Sequence, residues 1–279
     1  MNSASTLANG FWTDGFVLDC PILDFHAHMG GFYGGYIPNR NAEGMLHSMD
    51  RCNTVLTCFC SHHSLFAPQV GVNEDLLIAR SYQNRLKAYH IVSSNSLSPE
   101  EDLARVEANA DCYVGFKFLC DYYGVPLSDE RHTPYWEYAD QHGLLVLCHT
   151  WGGSQMDGPE EAEKVLSRYH NLKLIAGHSF FGQWEQAIRL SKQYTNLYLE
   201  LTAVLHNRGP LDLFVKELGS QRILFGVDLP WFSYYHGIGA VLSADISDED
   251  RRNIFYRNGK KLLGQYAWFQ DVWQKVANN

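Results

Sequence analysis

The stretch that decides how this chain folds is Ile22-Leu23-Asp24-Phe25-His26-Ala27-His28 (ILDFHAH). It is short and rich in apolar residues at both odd and even positions, so as a strand it is covered on both faces. Side chains alternate across a strand, which sends His26 and His28 to one face and Phe25 and Ala27 to the other. Seven runs of similar length and character follow, starting near Asn53 (NTVLTCFC), Arg85 (RLKAYHIVSS), Tyr113 (YVGFKFL), Leu144 (LLVLCHT), Leu172 (LKLIAGHS), Leu197 (LYLELT) and Arg222 (RILFGVD). Helical spacing fills the gaps, over roughly Ala42–Met49, Asn73–Gln83, Pro99–Asn109, Thr133–His142, Pro159–Tyr169, Trp184–Gln193 and Leu211–Leu218.

Strand starts recur about every 24 to 33 residues, the size of one βα unit, and eight such units make about 250 residues. The expectation is an α/β fold, a closed (β/α)8 TIM-like barrel. A doubly wound open sheet is the competitor, but no Gly-x-Gly-x-x-Gly follows the first run. One barrel domain is expected over residues 1–279, with its core at about 22–230. After Asp228 come an aromatic loop and then C-terminal helices within 245–275, packed on the same domain.

Of the 279 residues, 46% are apolar and 19% charged, as in an ordinary globular enzyme, so a disordered chain is excluded. The net charge of −9 opposes contact with nucleic acid or an anionic lipid surface, and the expected partner is a small-molecule substrate. No run reaches the ~20 apolar residues of a membrane span. The start, MNSASTLANG, has neither a basic nor an apolar leader region, so a cytoplasmic protein is expected. Seven cysteines, an odd number lying mostly in apolar runs, read as reduced buried thiols. A homo-oligomer is the base-rate expectation.

In such barrels the chemistry sits at the C-terminal ends of the strands. His26 and His28 end the first run, Lys117 lies in the fourth, His149 ends the fifth, His178 the sixth and Asp228 the eighth. Imidazoles and a carboxylate converging at one mouth fit a divalent metal ion. The absence of thiolate suits zinc, or manganese, iron or nickel where availability decides. Three histidines plus Asp228 leave room for a water, and the remaining histidine is free for acid–base work.

LDFHAH, VLCHT, IAGHS and ILFGVDLP, in that order and at those spacings, resemble the amidohydrolase superfamily of metal-dependent (β/α)8 enzymes. The nearest branch is the amidohydrolase-related group that includes aminocarboxymuconate-semialdehyde decarboxylase-like proteins. The likeness runs from about Leu23 to Leu263. It implies that His26, His28, His149 and Asp228 hold the metal, with His178 beside it as acid, base or electrophile. Asp228 would also take a proton from water and pass it to the leaving group. In two-metal relatives a strand-four lysine is carbamylated and bridges the ions, a role that would fall to Lys117, with His149 and His178 on the second ion. One ion is expected here, with Lys117 as a cation near a substrate carboxylate.

The function that follows is hydrolysis of an amide, ester or lactone bond in a small organic molecule. The alternative is non-oxidative decarboxylation of a small, even aromatic, carboxylic acid; a catalytically silent metal-binding barrel is the rival from another class. Aromatic loops, Met29–Tyr36 and Pro230–His236, with Trp151 and Trp231, are expected to wall the pocket. Cys58-x-Cys60-x-His62-His63 reads as buried thiols plus a mouth histidine, so His62 or His63 touches substrate. Arg208, with Arg40 second, is the candidate partner of a substrate carboxylate. Glu200 orients a ligand histidine or serves as a structural carboxylate.

Overall fold

A computed structural model describes residues 5–277; residues 1–4 and 278–279, the ends of the expected domain and the first residues of MNSASTLANG, lie outside them. Eight strands form one sheet: β1 (Ile22–Ala27), β2 (Thr54–Phe59), β3 (Leu86–Val92), β4 (Tyr113–Phe118), β5 (Leu145–Trp151), β6 (Lys173–Phe181), β7 (Leu197–Glu200) and β8 (Ile223–Leu224). Neighbours in sequence pair in parallel, in the order β1 to β8. The ring closes between its ends. Phe25 N–H donates to the Phe225 carbonyl (3.0 Å), Asp228 N–H donates to the His26 carbonyl (2.8 Å), and Ala27 bridges Leu229 in parallel. The expected (β/α)8 barrel is what the chain forms.

Each crossover carries a helix, as right-handed parallel connection requires. Four of these helices, Pro68–Ser81, Pro99–Ala108, Pro159–Leu166 and Pro210–Leu218, begin at a proline, whose missing N–H costs nothing in a first turn. The helix expected at Asn73–Gln83 begins five residues earlier. Gly71 obscures the period there, and it is needed because a Cβ would lie 2.1 Å from the Ser64 amide of the helix His62–Phe66. The segment read as a loop after Asp228 contains a helix, Tyr234–Ser243, capped by Ser233. Its Gly237 lets it lie against Val227, where a Cβ would come within 2.5 Å of the valine side chain. A further helix, Thr6–Asp14, was not evident in the sequence; Ser5 caps its start and Gly15, at φ 81°, ends it.

Alternate strand residues divide into two cores. Leu56, Cys58, Tyr89, Ile91, Leu147 and Ile175 line the barrel, while Phe59, Phe118, Val146 and Leu174 face the helices. Phe25 was expected among the helix-facing residues but packs with Leu23 and the barrel-lining set. The pairing of β1 with β2 slips between Asp24 and Ala27. That irregularity puts Phe25 and His26 on the inner side in succession, as a bulge does. The C-terminal helices Asn258–Leu263 and Ala267–Ala277 close the end where the strands begin: Leu262, Leu263, Phe269 and Val272 join the inner core, and Tyr266 Oη–H donates to the Val114 carbonyl (2.5 Å). The opposite end stays open.

Candidate active site

His26 is wholly buried and its tautomer is set from behind. Its Nδ1–H donates to Glu200 Oε2 (2.8 Å), so the Nε2 lone pair points into the barrel. Two glycines make room for this pair. A Cβ on Gly226 would stand 2.3 Å from Glu200 Oε1 and one on Gly177 3.0 Å from the His26 ring. His28 repeats the arrangement, with Nδ1–H donating to the Cys60 carbonyl (2.7 Å) and Nε2 free. Asp228, four residues beyond β8, sends Oδ1 to 3.2 Å from His28 Nε2 and 3.8 Å from His26 Nε2. That oxygen is buried and without a hydrogen-bond partner. One donor atom from each of His26, His28 and Asp228 lies within 4.8 Å of the others. With both imidazole protons committed elsewhere, three lone pairs meet, and an orphaned buried carboxylate oxygen is costly unless a cation occupies their common point. The donor set fits a divalent metal ion.

His149 stands beside this trio rather than in it. Its Nδ1–H donates to His178 Nε2 (3.1 Å), and His178 Nδ1–H donates to the Thr202 carbonyl (3.3 Å). His178 is the link between the two groups, its ring centroid 5.1 Å from that of His26 and 4.7 Å from that of His149. Lys117 lies beneath, fully buried, with Nζ 3.1 Å from His26 Nε2.

Burial dominates the electrostatics. It holds His26, His28 and His149 well below the ordinary histidine value, helped by Lys117, and brings His178 down to about 3, so all four are neutral ligands or bases. Desolvation pushes the Asp228 carboxyl up to about 7, with Lys117 pulling the other way, and the same desolvation lowers Lys117. A carboxyl near neutrality can both take and return a proton.

A pocket of about 290 Å³ opens above these groups, with His28, His149, His178 and Asp228 in its lining. Of the expected substrate contacts, His62, Trp151 and Trp231 line it. His62 Nδ1–H donates to the Gly30 carbonyl (3.1 Å) and its Nε2 accepts from Trp231 Nε1–H (3.0 Å), so one imidazole ties three loops together. His63 points away and pairs with Glu74 (2.7 Å). Arg208 corrects the expectation: it is exposed and not among the residues lining the pocket. The reserve candidate Arg40 is exposed too, over the Tyr36 ring and bonded to the Ile37 carbonyl. Neither Lys nor Arg is among the lining residues. All seven thiols are buried and free, so the Cys58-x-Cys60 pair is structural.

The sequence did not point to Leu65, Phe66, Leu119, Tyr122 or Ala203 as pocket walls. Phe66 and Tyr122 sit on helical turns of five and four residues, too short for any periodicity to show. The available signal was position alone, just beyond the ends of β2 and β4.

The model of the amidohydrolase family matches residues 72–265, and the chain belongs to that family. His26 and His28 precede the matched span, so their place at the site rests on geometry. Among solved structures the chain is similar to an uncharacterised TIM-barrel protein from Bordetella bronchiseptica, at 17% identity over 88% of this chain and 99% of that one, with a TM-score of 0.73. A dihydroxybenzoic acid decarboxylase from a Polaromonas species, with bound manganese and the inhibitor 2-nitroresorcinol, matches at 15% identity over 88% and 97%, TM-score 0.70. A protein from Pseudomonas putida proposed to be a 2-pyrone-4,6-dicarboxylic acid hydrolase matches at 15% over 88% and 98%, TM-score 0.69. These likenesses concern the fold. No curated protein matches the chain significantly. None of the described helices is long and apolar enough to cross a membrane.

Proposed function

We propose that the protein is a metal-dependent hydrolase that cleaves an amide, ester or lactone bond in a small, largely apolar organic molecule. The observation that carries this reading is the meeting of three proton-free donor atoms, from His26, His28 and Asp228, at the floor of an aromatic pocket. Bound there, one divalent ion, zinc by its donor set, would supply Lewis-acid polarisation of the substrate carbonyl and of a water. His149, whose Nε2 is uncommitted, is the further ligand this reading needs. Asp228 would move the proton: with Oδ1 toward the ion, its other carboxylate oxygen would accept the proton and return it to the leaving group. His178 keeps its own proton on Nδ1, accepts from His149 at Nε2, and presents its ring to the pocket wall.

Decarboxylation is the second reading, and the pocket's charge supports it. With no Lys or Arg on the walls, a substrate carboxylate finds an opposite charge only at the metal floor, where it is also the group to be lost. Asp228, protonated, would then deliver a proton to carbon.

Metal content of the purified protein, followed by a panel of neutral aryl esters, lactones, N-acyl amino acids and hydroxybenzoates, separates these readings. Acid release from a neutral substrate supports hydrolysis, and carbon dioxide from a hydroxybenzoate supports the second reading. Stoichiometric metal with no turnover favours a silent binder. A protein that retains no zinc or manganese after reconstitution defeats all three.

A further inference from the structure

His178 is held by an unusual piece of backbone. His178, Ser179 and Phe180 have φ of 70°, 49° and 55°, three non-glycine residues in succession in the left-handed region. Each such residue costs of order 1 kcal/mol, so the conformation persists only where its surroundings impose it. The pairing of β5 with β6 shows where the extra chain goes. His149 pairs with Gly177 and Trp151 with Phe181, so four steps along β6 oppose two along β5. Between those pairs β6 makes a tight turn at Gly177-His178-Ser179-Phe180.

In an ordinary turn of this kind the first carbonyl accepts directly from the fourth amide. Here the Thr150 hydroxyl is inserted between them. Its O–H donates to the Gly177 carbonyl (2.7 Å), and its Oγ1 accepts from Phe180 N–H (3.0 Å). Thr150 is fully buried and directly follows His149. Two further bonds fix the turn to β7: Ser179 Oγ–H donates to the Glu200 carbonyl (2.7 Å), and His178 N–H donates to Glu200 Oε2 (3.3 Å).

We infer that Thr150 is a positioning residue for His178. Its hydroxyl closes the left-handed turn that aims the imidazole into the pocket, and it locks the ends of the two strands that carry His149 and His178 in one register. The inference rests on the proposed role of His178 in the reaction, yet the turn itself can be observed without a substrate.

Thr150→Val keeps the side-chain shape and removes the bridge; Thr150→Ser keeps the bridge. Amide hydrogen exchange gives the first readout. Exchange at Phe180 N–H rises at least about tenfold in the valine variant, as expected for one lost bond and its neighbours' loosening, and stays near wild type in the serine variant. On whichever panel compound the wild type turns over, kcat falls about 10–100-fold in the valine variant, with KM and zinc content little changed, and serine restores it. Should the valine variant fold poorly, Thr150→Ala removes the same bridge in less space and is read by the same exchange and kcat measurements. Unchanged Phe180 exchange in folded Thr150→Val overturns the inference. Rapid exchange with wild-type kcat overturns the link from the turn to His178. If no panel compound is turned over, the functional reading fails, while the exchange measurement still decides the turn.

Discussion

The two ends of the barrel are built to opposite rules. Where the strands begin, polar groups close on one another. Asn258 Nδ2–H₂ donates to the Ser220 and Ile223 carbonyls (2.7 and 2.8 Å), Tyr266 Oη–H donates to the Val114 carbonyl, and Lys87 Nζ bonds the Asp111 carbonyl while lying over the Trp268 ring. Where the strands end, Asp228 Oδ1 has no partner, and six non-glycine residues, Asn39, His178, Ser179, Phe180, Ala203 and Asp228, take positive φ. Among the described residues the only such one at the closed end is Asn53, of a type that tolerates the left-handed region. One end thus keeps an unpaired carboxylate oxygen and a run of strained residues at its pocket, whereas at the other the unpaired buried atoms include the single N–H groups Arg85 Nε and Trp268 Nε1.

Asp228→Asn tests that contrast most severely. It removes the negative ligand while keeping shape and left-handed tolerance. Turnover should fall at least ~1000-fold, as for loss of a group that serves both metal and proton transfer. Zinc bound after reconstitution should fall with it. In metal-free protein the same change should raise stability by about 1 kcal/mol, because an orphaned buried carboxylate is gone. Thermal melts with and without a chelator check both halves. A variant that is less stable without metal would show that Asp228 is part of the scaffold, and the contrast between the ends would fail.

Glu200→Gln sharpens the comparison one layer further out. Glu200 touches no pocket space, yet it holds the His26 tautomer and accepts from Thr202 N–H and Oγ–H (2.6 Å each). Glutamine preserves size but can present its NH₂ to His26, which turns the ring or its proton the wrong way. Zinc affinity should weaken about 10–100-fold, measured by competition with a chromophoric chelator. Affinity equal to wild type would mean that His26 needs no orienting partner.

How much of this was legible depended on whether period or position carried the signal. The strands and most helices showed in the spacing of apolar residues, and His26, His28, His149, His178 and Asp228 stood out because each closes a strand-like run. What stayed hidden depends on local breaks in period. The slip after Asp24 moved Phe25 inward, and the extra residues of β6 gave Thr150 its bridging place. Arg208 looked suitable by charge and loop position, but nothing in a sequence says toward which side the nine-residue connection from β7 to Pro210 turns. The helix Tyr234–Ser243 was masked by Gly237 and Gly239, which weaken helical propensity, the first of them letting the helix approach Val227.

The smallest expected effect lies at the closed end. Tyr266→Phe deletes one hydrogen bond, from Oη–H to the Val114 carbonyl at the start of β4, and leaves the ring stacked beside Trp268 at 5.3 Å. The cost should be about 1 kcal/mol of stability, read as a shift in the urea midpoint at constant slope. Lys117 lies on the same strand three residues further along, so a rigid β4 could pass a disturbance at Val114 to the floor of the pocket. If the ends are independent, zinc affinity and kcat remain at wild-type values, since well-separated sites contribute additively. A parallel loss of zinc affinity would show instead that the closed end is part of what holds the metal floor in register.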